Sequence, residues 1–161
     1  MPLTIDAATP ADIPLVLDLI RELAEYEREP DAAQATPQQL HEALFGVRPA
    51  AEAVITRLDG EPAGWALWFQ NYSTWTGRPG LWLEDLFVRP QYRRNGVGRG
   101  LLVYLARLCV ERGYGRFEWS VLDWNTPALD FYRALGAEPM SEWTTMRLSG
   151  DALSRLADGQ L

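Results

Sequence analysis

The stretch from residue 81 to residue 113 constrains this chain most. Leu81–Val88 reads as an apolar strand. A basic loop follows, punctuated as Arg93-x-x-Gly96-x-Gly98. The loop runs into a helical pattern over 97–112, with Val97, Leu101, Leu105, Leu108 and Cys109 on one stripe and Gly113 as the stop. A strand joined to a helix by a short glycine turn is a local α/β unit. It also makes an anion site. Backbone N–H groups and the helix N-terminus converge there, and a pyrophosphate is the natural ligand. Gly96 and Gly98 let a ligand approach the backbone closely. Arg93, Arg94 and Arg99 add positive charge. No Gly-Lys-Ser/Thr follows, which excludes a Walker loop, and the glycines at 96, 98 and 100 miss the dinucleotide spacing. The remaining alternative is a strand–turn–helix junction with glycines for tight packing.

Around this unit the chain alternates strand and helix signals. Residues 3–7 suggest a first strand. Thr9-Pro10-Ala11-Asp12 and Thr36-Pro37-Gln38-Gln39 are helix starts, the second suited to a capping box. Residues 52–58 and 63–71 read as strands about the turn Asp59-Gly60. Residues 116–122 predict a strand, 127–135 a helix, 143–148 a last strand and 151–157 a short helix. The expectation is one domain over 1–161, an α/β fold with a mixed sheet and no repeat or linker.

Composition narrows the function classes. A net charge of −7 disfavours nucleic acid and suits a cationic small molecule. No apolar run reaches membrane-span length and no signal peptide is evident, so a cytoplasmic protein without membrane contact is expected. Cys109 is the only cysteine and reads as a buried core thiol rather than a nucleophile. His41 is the only histidine, and no metal is expected.

A second segment completes the pattern. Residues 119–137 run from a strand through Asn125, a helix opened by Thr126-Pro127, Phe131-Tyr132 and a stop at Gly136. With Arg-x-x-Gly-x-Gly about thirty residues earlier, the chain resembles the GCN5-related N-acetyltransferases. Glu-Leu-Ala-Glu-Tyr-Glu at 22–27, Leu-Glu-Asp-Leu-Phe-Val at 83–88 and Trp-Asn-Thr-Pro-Ala-Leu-Asp-Phe-Tyr at 124–132 are similar to the spermidine/spermine and thialysine acetyltransferase branch. The resemblance covers about residues 3–157.

This resemblance implies a mixed, mostly antiparallel sheet splayed between strands 4 and 5, with helices on both faces. It implies acetyl-CoA as co-substrate. Leu86, Phe87 and Val88 hold the pantetheine arm, and Arg93, Arg94, Gly96, Val97, Gly98 and Arg99 surround the pyrophosphate. Asn125, with Pro127 and Ala128, contacts the cofactor from the second segment; Asn125 serves equally well as an Asx turn or helix cap. Tyr132 is the general acid for the leaving thiolate, or else an aromatic packing its helix. Glu84 accepts the acceptor's proton through water, or else is a solvated strand carboxylate. Adjacent strand positions point to opposite faces, so Asp85 is expected to serve the far side. Tyr26, Glu27 and Trp75 are implied to line the amine site with Glu84 and Asp85. The acceptor is a small cationic amine: a diamine, polyamine, lysine or thialysine. Met146, Ser73 and Thr74 depart from the branch and weaken the case for long polyamines. A homodimer is implied. A peptide N-acetyltransferase and a non-catalytic acyl-CoA sensor remain as alternatives.

Overall fold

The fold is described for residues 2–160 of a computed structural model. Two compact units divide the chain after Leu122.

The first unit is built on a sheet in the order β1 (Leu3–Ala7), β2 (Glu52–Leu58), β3 (Glu61–Ser73), β4 (Arg78–Val88) and β5 (Phe117–Trp119). β1 to β4 are antiparallel neighbours, and β5 runs parallel to β4. The helices are α1 (Ile13–Tyr26), α2 (Pro37–Phe45) and α3 (Val97–Arg112). α1 and α2 cover one face. Ile13, Val16, Leu17, Leu40 and Leu44 form a buried cluster with Ile55, Trp65 and Phe87 of the sheet. α3 lies on the other face, where the space a Cβ on Gly98 would fill borders Val88 Cγ2 at 3.7 Å.

The helix start at Thr36 works as the sequence predicts, whereas α1 begins only at Ile13, later than Thr9-Pro10 implies. Thr36 Oγ1 accepts from Gln39 N–H at 3.2 Å, and Gln39 Oε1 accepts from Thr36 N–H at 3.0 Å. A short 3-10 turn over Pro10–Asp12 precedes α1. α3 ends at Gly113, whose φ of +69° is the left-handed region that glycine adopts without a Cβ penalty.

The sheet is splayed where the resemblance implies. β5 pairs with β4 only at Leu81↔Phe117, Trp82↔Glu118 and Leu83↔Trp119. The cause lies on the other side of β4. Leu67 opposes Asp85 while Trp68 opposes Leu83, so Glu84 is an extra residue, a β-bulge. A bulge bends its strand and increases the local twist. β4 therefore leaves β5 immediately after Leu83, and its edge over 84–88 carries no strand among the described residues.

The second unit contains α4 (Thr126–Ala134) and α5 (Gly150–Ala157). Here two sequence expectations need correction. Residues 143–148 form no strand; they are exposed and belong to no ladder. Trp143, Thr144, Thr145 and Met146 have the right side chains, but strand propensity becomes a strand only beside a paired edge. The strand expected over 116–122 is limited to Phe117–Trp119, because its parallel partner turns away at the bulge.

Candidate functional site

The bulge decides which side chains meet. Trp65 and Phe87 are opposite one another and both pack in the α1–α2 cluster. Leu67, two residues on, packs there too and opposes Asp85. Asp85 therefore faces α1. Trp82, opposite Phe69, shares that side, and its indole Nε1–H donates to Glu84 Oε2 at 3.1 Å. Glu84 and Asp85 are thus not split between the faces as strict alternation predicts. The extra residue breaks the period of two and turns both acids toward α1.

The end of α1 supplies the third acid. Tyr26 is the last helical residue and Glu27 its C-cap. The Tyr26 ring lies 6.4 Å from that of Phe87. α1 is tied to the end of β4 by Arg89. Its Nε and Nη2 donate to the two Glu22 oxygens at 3.0 and 2.9 Å, and its Nη1 donates to Pro62 O at 3.3 Å. Glu22 precedes Tyr26 by four residues, so the tether acts on the same helix face.

The electrostatics follow from this packing. Burial pushes the Asp85 carboxyl up to about 6, and the charges of Glu84 and then Glu27 add to the effect. Burial also raises Glu27. The charges of Glu84 and Glu27 disfavour ionisation of Asp85, and a cation among them relieves this. Cys109 is buried, and burial raises its thiol, so it is a core residue and not a thiolate nucleophile.

The glycine loop is shaped for an anion. Arg94 and Gly96 take φ of +65° and +75°. The first helical hydrogen bond of α3 runs from Gly100 N–H to Gly96 O at 2.8 Å, so the N–H groups of Val97, Gly98 and Arg99 have no acceptor within the helix. A Cβ at Gly96 would meet nothing within 4 Å, which leaves the approach open. Arg94 and Arg99 are exposed beside it. Leu86, Phe87 and Val88 pair with β3 on one side and lie, on the other, along the stretch of β4 that β5 does not pair with, leading to the loop. Backbone donors at one end and a free strand edge beside them fit a molecule with a pyrophosphate and an amide-bearing arm. Arg93 does something sequence reasoning missed. Its guanidinium stands 4.8 Å from the Tyr26 centroid and 5.7 Å from that of Phe87, while Nε donates to Val88 O at 3.0 Å.

The structure brings Tyr26, Glu27, Glu84 and Asp85 to one place. Trp75 is elsewhere in the first unit, just beyond the end of β3. Leu67, opposite Asp85, is six strand residues before Ser73, or roughly 20 Å at the usual rise. In the second unit Asn125 is buried and caps α4, its Oδ1 accepting from Ala128 N–H at 3.4 Å. Pro127 and Ala128 form the first turn of that helix. Tyr132 is half-buried on α4, its ring 5.7 Å from that of Phe131.

Residues 16–137 match the model of the acetyltransferase (GNAT) family. The thialysine N-epsilon-acetyltransferase of Sus scrofa is 37% identical over 153 residues, covering 88% of this chain and 89% of that protein. The L-ornithine N5-acetyltransferase of Arabidopsis thaliana is 32% identical, covering 92% of this chain and 85% of its own. Among solved structures, an integron cassette protein from the mobile metagenome of V. cholerae superposes with a TM-score of 0.81 at 24% identity, covering 98% of both chains.

Proposed function

This chain belongs to the acetyltransferase (GNAT) family and is an acetyl-CoA-dependent N-acetyltransferase, and on that premise we propose that its acceptor is a small cationic amine of the ornithine, lysine or thialysine type. The observation that carries this reading is the acid trio Glu27, Glu84 and Asp85, gathered beside Tyr26 by the bulge in β4. A diamine or basic amino acid relieves the repulsion that Glu84 and Glu27 exert on Asp85, whereas an anionic or neutral acceptor does not. The relatives named for thialysine and ornithine acetylation support the same class.

Acetyl-CoA supplies an activated acetyl group as a thioester. In this reading the N–H groups of Val97, Gly98 and Arg99, with Arg94 beside them, hold its pyrophosphate at Gly96. The free edge at Leu86–Val88 takes the pantetheine amides, and Asn125, Pro127 and Ala128 contribute from α4. The acceptor arrives as an ammonium, with a pKa near ~10.4, and must lose a proton before it can attack. Glu84, exposed and fixed by Trp82 Nε1–H, takes that proton through water. Tyr132 donates a proton to the departing sulfur. Glu27 and Asp85 hold the acceptor's positive charge.

A second assignment of the base has an observation in its favour. Asp85, pushed up to about 6, is better matched than an ordinary carboxylate to proton acceptance near neutral pH. The whole chain acts as one acetyltransferase domain in this reading, as a cytoplasmic homodimer.

The test is thiol release from acetyl-CoA across ornithine, lysine, thialysine, putrescine, spermidine and a short basic peptide. Turnover concentrated on the first three supports the assignment. Preference for the peptide replaces it with a peptide acetyltransferase. Tight acetyl-CoA binding without thiol release for any amine replaces it with an acyl-CoA sensor.

A further inference from the structure

We propose that Arg93 is a positioning residue for the amine side of the site, through which occupancy of the 94–99 loop is coupled to the end of α1. The proposal rests on the acetyltransferase reading above. It departs from the expectation that the arginine opening the loop serves the pyrophosphate.

The side chain of Arg93 is committed in two directions. Nε–H is bonded to Val88 O at 3.0 Å, which fixes the guanidinium at the end of β4. The guanidinium carbon stands 4.8 Å from the Tyr26 centroid and 5.7 Å from that of Phe87. Both lie within the range of a cation–π contact. The two rings are themselves 6.4 Å apart, so one guanidinium joins three elements: the loop, the strand and the helix. A side chain in this stack is turned toward α1 and is not at the same time a ligand for an anion on the loop.

The backbone of Arg93 belongs to the loop. It is extended, with φ −66° and ψ 156°, and is followed at once by Arg94 in the left-handed region. When an anion draws in the N–H groups of the loop, the Cα of Arg93 is carried with them, while its guanidinium bears on Tyr26. Glu27 is the next residue after Tyr26, so the same contact sets the position of a carboxylate of the amine site. Acetyl-CoA binding thereby orders the amine subsite, and the amine binds better to the cofactor-loaded enzyme.

Three measurements on the whole chain test this. In hydrogen–deuterium exchange, acetyl-CoA is expected to protect residues 23–28 in the wild type and to lose that effect in Arg93→Gln. In steady-state kinetics with the best amine, Arg93→Gln is expected to raise the amine KM about fivefold, as loss of one cation–π contact implies, with kcat nearly kept. Tyr26→Leu should do the same, and the double variant should be no worse than either single one. Arg93→Lys, which keeps the charge, should recover part of the loss. Acetyl-CoA Kd by calorimetry should change less than about twofold in all variants, since the stack is not a cofactor contact. A large rise in acetyl-CoA Kd in Arg93→Gln, with additive effects of the two substitutions, overturns the proposal and returns Arg93 to the pyrophosphate. Absence of exchange protection at 23–28 in the wild type also overturns it. The exchange and calorimetric readouts need no turnover, so a failed acceptor assignment is told apart from a failed coupling.

Discussion

Replacing Asp85 with asparagine should stabilise the protein while impairing it. The carboxyl of Asp85 is raised from an ordinary 3.8 to about 6. Below pH 3.8 the group is protonated in both folded and unfolded chains and contributes no difference. As pH rises from there, the unfolded chain gives up its proton first, so each step favours unfolding until the folded carboxyl also ionises near 6. The interval between those two values, at about 1.36 kcal/mol per pH unit, sets a ceiling of about 3 kcal/mol. Asp85 is half-buried, and water reaching it reduces this to about 1–2 kcal/mol. Asp85→Asn removes the charge at nearly constant shape. Its melting temperature at pH 7.5 should exceed that of the wild type by about 3–6 °C, for a domain of this size. At pH 4 the gap should close. The amine KM should rise at the same time, because an acid that holds the acceptor has gone. Thermal melts at half-unit steps from pH 4 to 8, with acetyl transfer assayed alongside, provide the check. Equal stability at pH 7.5, or a difference that does not vary with pH, refutes the argument that this carboxylate is ionised at the expense of the fold.

Three further outcomes are expected. Glu84→Gln separates the two candidate bases by sign: if Glu84 takes the proton, the acidic limb of the pH–rate profile moves to higher pH and turnover falls. If Asp85 takes it, the limb moves lower, since the charge of Glu84 no longer opposes ionisation of its neighbour. Tyr132→Phe should lower kcat by about 10²-fold with acetyl-CoA Kd nearly unchanged, measured by single-turnover kinetics and calorimetry, and unchanged turnover removes the acid assignment. Arg89→Met should cost about 1–2 kcal/mol in urea unfolding, because it leaves Glu22 half-buried without its two-pronged partner, and a loss below about 0.5 kcal/mol shows that the tether is merely a surface pair.

The elements whose signals are local were legible in the sequence. Thr36-Pro37-Gln38-Gln39 contains both partners of its capping box, and Gly113 contains its own stop. Helix α3 occupies the residues that its apolar stripe marks. What escaped depends on partners remote in the chain. The bulge at Glu84 arises from the register between β3 and β4, and no pattern within Leu-Glu-Asp-Leu-Phe-Val announces it. With the bulge hidden, alternation assigned Glu84 and Asp85 to opposite faces, and the shift of Asp85 was invisible. The engagement of Arg93 with Tyr26 spans 67 residues of sequence and leaves no local signature. Residues 143–148 are the reverse case: their side chains suit a strand, but no edge among the described residues pairs with them.

The charged contacts between elements of the first unit are made by one kind of cation. Arg57 meets Asp12, Arg89 meets Glu22, Arg112 meets Glu52, and Arg93 stacks on Tyr26. The chain contains no lysine, so all fifteen of its cations other than histidine are guanidinium groups. A primary amine next to a thioester is itself an acceptor, and once acylated it loses its charge and its ion pair. A guanidinium stays protonated throughout the working pH range and is a poor nucleophile. These contacts are therefore inert to the reagent the enzyme handles. No lysine side chain competes with the substrate for the acetyl group, and these ion pairs are not lost to acylation over many turnovers.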